Sequence, residues 1–226
     1  MEKRMIGLMR TKFQTDRRSF LKTSGAFACG LTGAVFGLPA VAAKVDAAPA
    51  GADEMNILGP RAAYSPHVGT LVSMLNWMRG SILQPVQGLS VTQLDYLHDA
   101  KANTIGALLL HLVAVERLYQ VHTFEGKKWG DLNDKTEKLW GAAANLGERA
   151  RKSIKGNNLA YYLDNLKEVR EHTLAELRKR DDAWLMQVDP EWVWGPTNNY
   201  CKWFHVCEHE SNHNGQIKWI KGRLPG

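Results

Sequence analysis

From Ser65 onward the apolar residues fall at helical intervals in four long runs. Val68, Leu71, Val72, Leu75 and Met78 mark the first, with Ser65-Pro66 as N-cap and first-turn proline and an end near Leu83, before Gln84-Pro85. The second, NTIGALLLHLVAVERLYQVHTF from Asn103, is apolar nearly all round, which predicts a largely buried helix with His111 at its middle. A third begins after Asn158 with Leu159, Tyr162, Leu163, Leu166, Val169, Thr173 and Leu177 inward and solvated charges such as KEVREH outward. The last runs from Tyr200 to Arg223 and is stopped by Gly222 and Pro225.

The intervening segments read as connections. Ser90 and Gln93 form a capping-box pattern for a short helical turn. Residues 126–156 are polar and interrupted by Gly130, Gly141, Gly147 and Gly156, with Asp134 and Glu137 placed to cap a short helix. Residues 182–199 carry Trp184, Trp192 and Trp194 with Pro190 and Pro196, and predict an ordered loop packed by its own aromatics. No run alternates as a strand does. The expected fold is all-α, an antiparallel four-helix bundle over residues 65–226.

Chemistry concentrates in the last run. His205, His209 and His213 recur every four residues, so on a helix each step turns about 40° and the three imidazoles share one face. Val206, Asn212, Gln216, Ile217 and Ile220 share that face, while Cys207, Ser211, Asn214 and Lys218 lie opposite. Two histidines at i and i+4, with a third imidazole from a facing helix, make a three-nitrogen face that leaves positions open for water or substrate. His111 is the candidate partner, and His111, His209 and His213 are expected to hold one divalent ion, drawn from zinc, nickel, iron or manganese. His205, about 6 Å along the axis from His209, is a rim group or the alternative ligand. Glu210 is a candidate proton acceptor beside the site, and Asn212 and Gln216 are placed to orient imidazoles or substrate.

The segment HESNH admits other readings. As H-E-x-x-H it would hold zinc on His209 and His213 with Glu210 as general base, but no acid or histidine follows His213 to complete the site. As half of a di-iron motif, Glu210-x-x-His213 needs a second copy on another helix, and the sequence has none.

The first 43 residues change the charge picture. Asp16-Arg17-Arg18-Ser19-Phe20-Leu21-Lys22 resembles a twin-arginine export signal, followed by a weakly apolar run and a small-residue cleavage site at Ala40-Val41-Ala42. The run is just long enough for a membrane anchor, but Gly30, Gly33, Gly37 and Pro39 make it a poor permanent helix. Residues 44–64 read as a linker. Without the segment's seven basic and two acidic residues the formal charge of +6 falls to about +1, so the basic balance gives no support for nucleic-acid binding. Cys201 and Cys207, about 9 Å apart along a helix, cannot bridge one another.

NTIGALLLHLVAVERLY, with His111 and Glu116, resembles the second helix of the DinB-like metal-binding bundles, which include thiol-dependent maleylpyruvate isomerases and S-transferases. HVCEHESNHNGQI resembles their last-helix signature, and QGLSVTQLDY the loop after their first helix. The resemblance implies a four-helix fold with one divalent ion on His111, His209 and His213, dimerisation, and a low-molecular-weight thiol as cosubstrate. Asn214 stands where many members carry Arg, and the 126–156 segment is long, so substrate class stays open. The expected function is that of an exported metalloenzyme acting on a small molecule by thiol transfer or hydrolysis. A non-catalytic metal-binding bundle is the alternative, and a plain helical interaction module a third. Export through the twin-arginine machinery, which carries folded chains, would load the metal in the cytoplasm.

Overall fold

The computed structural model describes residues 55–131 and 134–225. The export signal read at residues 1–43 and the first part of the linker lie outside the described residues. The described elements are α1 (Pro66–Val86), α2 (Val91–Leu94), α3 (Ile105–Thr123), α4 (Asp134–Asn145), α5 (Gly147–Ser153), α6 (Leu159–Leu177), α7 (Asp182–Met186), β1 (Val188–Asp189), β2 (Thr197–Asn198) and α8 (Asn199–Lys221). The protein is mostly helical. Its two strands of two residues each pair antiparallel, Val188 opposite Asn198 and Asp189 opposite Thr197, within the segment read as a loop without strands.

Local chemistry explains where the helices start. Thr104, Asn158 and Asn198 accept from the backbone N–H of Ala107, Tyr161 and Cys201, and the Ser90–Gln93 capping box forms reciprocally. α1 departs from the expected pattern. Ser65 occupies the N-cap position, but its hydroxyl donates to Asp182 Oδ1, which also accepts from the N–H of His67 and Val68. A carboxylate from α7 thus caps a helix more than a hundred residues earlier. At the other end Pro85 lies inside α1 rather than ending it, and its carbonyl accepts from Lys221 Nζ at 2.6 Å.

The described part of the linker is pinned along α1. Gly59 N–H donates to Ser73 Oγ at 3.1 Å and Trp77 Nε1 to Asn56 Oδ1 at 3.3 Å. The backbone of Arg61 passes so close over Gly69 that any Cβ there would collide with it.

α8 packs on α1 and α3, and α3 also packs on α6 and α4. α3 is buried on almost every face, as its unbroken apolar run requires. At the centre, one charged side chain from each long helix joins a single cluster. Arg79 of α1 donates to Glu116 Oε2 of α3 at 2.7 Å and to Glu210 Oε1 of α8 at 2.5 and 3.0 Å. Arg170 of α6 donates to both oxygens of Glu116, at 2.8 and 3.1 Å, and to Glu210 Oε1 at 2.9 Å. The guanidiniums also reach the carbonyls of Leu166 and Leu75, and Thr173 donates to Glu116 at 2.6 Å. Two positive and two negative groups, all buried, neutralise one another. Burial would raise the Glu116 pKa, but Arg170 and Arg79 outweigh it and hold the carboxyl at about 2.

Candidate metal centre

His111 sits in mid-α3 among leucines, and one of its nitrogens is already assigned. Nδ1 lies 2.8 Å from the Ala143 carbonyl at the end of α4, so it carries the proton and donates. Nε2 is left as a lone pair pointing at α8. There His209 Nε2 lies 2.8 Å from His111 Nε2 and 3.1 Å from His213 Nε2. One ligand atom from each of the three lies within 4.8 Å of the others.

The surroundings keep these rings neutral. Burial, then the nearby His213, lowers the His111 pKa to about 4 against the pull of the Ala143 and Ala144 carbonyls. Burial and the other three histidines of the stripe and core lower that of His209 to about 2. His213 is lowered by burial, opposed by a hydrogen bond with Gln216. Neutral imidazoles are the ligand form. Nitrogens about 2.0–2.1 Å from a tetrahedral ion stand about 3.4 Å apart, so the His111–His209 and His209–His213 separations need to widen by only a few tenths of an ångström to receive one. A first-row divalent ion fits this donor set, and the His111–Ala143 bond is the outer-shell contact that such ligands use to fix their tautomer.

His205 does not belong to this group. Its ring stacks on Tyr119 at 5.6 Å, meets Trp194 edge-on at 4.9 Å and lies 5.4 Å from the His209 ring. Burial, then Cys201 and Glu208, pushes the Tyr119 pKa well up, so its hydroxyl keeps the proton; it is hydrogen-bonded to His205 Nδ1 at 2.8 Å. His205 is therefore a rim residue, and between it and His209 the three-histidine group takes His209.

Glu210 requires a correction. The sequence suggested a proton acceptor beside the ion, but the side chain is buried in the charge cluster with Oε1 engaged by both arginines. One residue along α8 from His209 turns it about 100° away, toward α1 and α6. Without a free carboxylate on the histidine face, the H-E-x-x-H reading loses its base. Asn212 accepts from Gln216 Nε2 at 2.7 Å beside the triad. Cys201 is exposed and Cys207 buried, both free; burial, against Arg170, pushes the Cys207 thiol up to about 12. His122 bonds the Lys127 carbonyl at 2.9 Å, away from the triad.

Three contributors escaped the sequence reading. Arg79 and Arg170 replace apolar residues in the series Val72, Leu75, Arg79, Ile82 and Leu166, Arg170, Thr173, Leu177, a visible signal of buried charge. Ala143 acts through its backbone, and no side-chain pattern could announce it.

The protein is mostly helical, and two buried imidazoles and one half-buried one converge from two helices as a candidate metal site. The Mycothiol-S-transferase family profile matches residues 70–226, and the chain belongs to that family. Among solved structures, a conserved protein from Enterococcus faecalis superposes with a TM-score of 0.52 at 15% identity, over 67% of this chain and 92% of that one. A Streptococcus pneumoniae protein gives 0.54 at 13% identity, over 76% and 98%. These two share the fold. No curated protein matches the chain.

Proposed function

We propose that this chain is a metal-dependent thiol S-transferase on an antiparallel four-helix bundle, acting on a small molecule outside the cytoplasm. The observation that carries the reading is the convergence of the Nε2 atoms of His111, His209 and His213. A divalent ion held there supplies Lewis acidity that lowers the pKa of a thiol and makes it a nucleophile near neutral pH. The family description supports a low-molecular-weight thiol of the mycothiol kind as cosubstrate.

The chain's own residues have distinct tasks. The Ala143 carbonyl holds His111 in the liganding tautomer. The Tyr119 hydroxyl bonds His205 Nδ1 and holds that ring at the rim beside the triad, where its Nε2 lies 3.9 Å from Glu208 Oε2. Burial of His111 and His213 excludes competing water. A purely structural ion is the weaker alternative, because the Arg79, Glu116, Arg170 and Glu210 cluster already ties the four long helices together.

Elemental analysis of the purified chain is expected to find one divalent ion per molecule, absent from His111→Ala. Titration of the loaded chain with a low-molecular-weight thiol is expected to show saturable binding that the variant lacks. Absence of metal from both proteins overturns the reading, and metal without thiol binding favours the structural alternative. Export is tested by fractionation: Arg17→Lys with Arg18→Lys is expected to retain the protein in the cytoplasm.

A further inference from the structure

A cavity of about 520 Å3, within the range of small-molecule pockets, opens where the loop before α3 meets the last turns of α8. Lys101, Asn103, Leu108, Asn212, Gln216 and Trp219 are among its lining residues. It adjoins the histidines. Gln216 lies against His213, and Leu108 and Asn212 stand one turn along their helices from His111 and His209.

Its chemistry is one-sided. Lys101 is the one ionisable side chain in the lining, and three amides supply hydrogen-bonding groups around it. The loop bearing the lysine is fixed: its N–H donates to Asp99 Oδ1 at 2.7 Å and its carbonyl accepts from Arg151 at 3.2 Å. The opening turn of α3 beside it adds the positive end of a helix dipole. On the facing wall Trp219 is braced by the edge of His98 at 4.7 Å and by the Arg223 guanidinium 3.8 Å over its ring. From His213 to Trp219 is six residues of helix, about 9 Å, the length of a small acid.

We propose that this cavity binds the carboxylate of a small planar molecule, with Lys101 as counter-charge and Trp219 as wall, directing its other end to the histidine triad. The inference rests on the S-transferase reading, and it names the chemistry that the site selects. The carboxylate belongs either to the acceptor substrate or to the thiol; both present the same group to Lys101.

Benzoate and its neutral analogue benzamide test this by calorimetric titration of the metal-loaded full chain. Benzoate is expected to bind saturably and about tenfold more tightly, the margin of one charge-assisted contact, and Lys101→Met is expected to erase that margin while leaving metal content unchanged. Equal affinities, no benzoate binding, or an unchanged margin in Lys101→Met overturns the proposal. Competition then assigns the source: displacement of benzoate by 3-mercaptopropionate but not by 2-mercaptoethanol places the carboxylate on the thiol, and simultaneous binding of benzoate and either thiol places it on the acceptor. A Lys101-dependent preference in a chain that binds no metal would keep the cavity and remove the S-transferase reading. Metal and thiol binding without that preference would do the reverse.

Discussion

Two buried polar clusters lie side by side in this protein, and neighbouring residues of α8 serve both: His209 the one, Glu210 the other. The charge cluster is nearly closed, with Glu210 Oε2 its one buried oxygen lacking a partner. Its arginines and glutamates cancel, and each guanidinium finds carboxylate or carbonyl oxygens. The histidine cluster is open, because its Nε2 atoms meet one another at 2.8 and 3.1 Å and, among the described residues, no ion pair reaches them. A core tolerates the first arrangement as structure; the second is a donor set that could hold a cation. The contrast separates framework from function more sharply than burial does, since both clusters are buried.

The largest effect should come from opening the closed cluster. Glu116→Ala leaves two buried guanidiniums sharing the single carboxylate of Glu210, an uncompensated buried charge expected to cost about 3–5 kcal/mol in urea denaturation. His209→Ala in the metal-free protein should cost far less, because it removes a neutral ring and leaves no buried charge unpaired. If the two variants lose equal stability, the clusters do not differ in kind.

Their pH dependence sharpens the same point. In the metal-free protein the His111 pKa stands at about 4, below the unfolded value, so the unfolded chain takes up a proton that the native one refuses. Stability from this group is full above about pH 6.5 and falls by on the order of 3 kcal/mol as pH drops toward 4. Glu116, held at about 2, acts in a lower window: its contribution is present above the unfolded carboxylate range and is lost as pH falls from there toward 2. Urea midpoints across pH 2–8 are expected to show both declines, with the upper one reduced but not abolished in His111→Leu, because burial lowers His209 and His213 as well.

The sequence disclosed these clusters unequally. The i, i+4 histidines and the lone imidazole in an apolar run were enough to single out His111, His209 and His213 as a group, with His205 left as the alternative, because helical periodicity fixes direction. Periodicity placed Glu210 within one residue of the site but left its partners unknown, since they come from α1 and α6 across the core. The loop after α6 was legible as ordered, yet nothing local marked Asp182 as the cap of α1. Contacts made by backbone atoms, such as Ala143, or across long sequence separations lie beyond pattern reading.

Metal should act on one cluster alone. An ion at a hundredfold excess over its dissociation constant stabilises by about 2.7 kcal/mol, so a chelator is expected to lower the melting temperature of the native chain. In His209→Ala the same chelator should change nothing. A chelator-dependent shift that survives this substitution would place the ion elsewhere.

The smallest effect is the most specific. Tyr119→Phe deletes only the hydroxyl that bonds His205 Nδ1, and the expected cost is about 1 kcal/mol of stability with metal content intact. Released from that bond, the His205 ring is less firmly oriented at the rim. A loss in turnover with unchanged thiol affinity would make His205 a working part of the open cluster. If turnover is unchanged, His205 merely packs between Tyr119 and Trp194, and the functional cluster ends at three histidines.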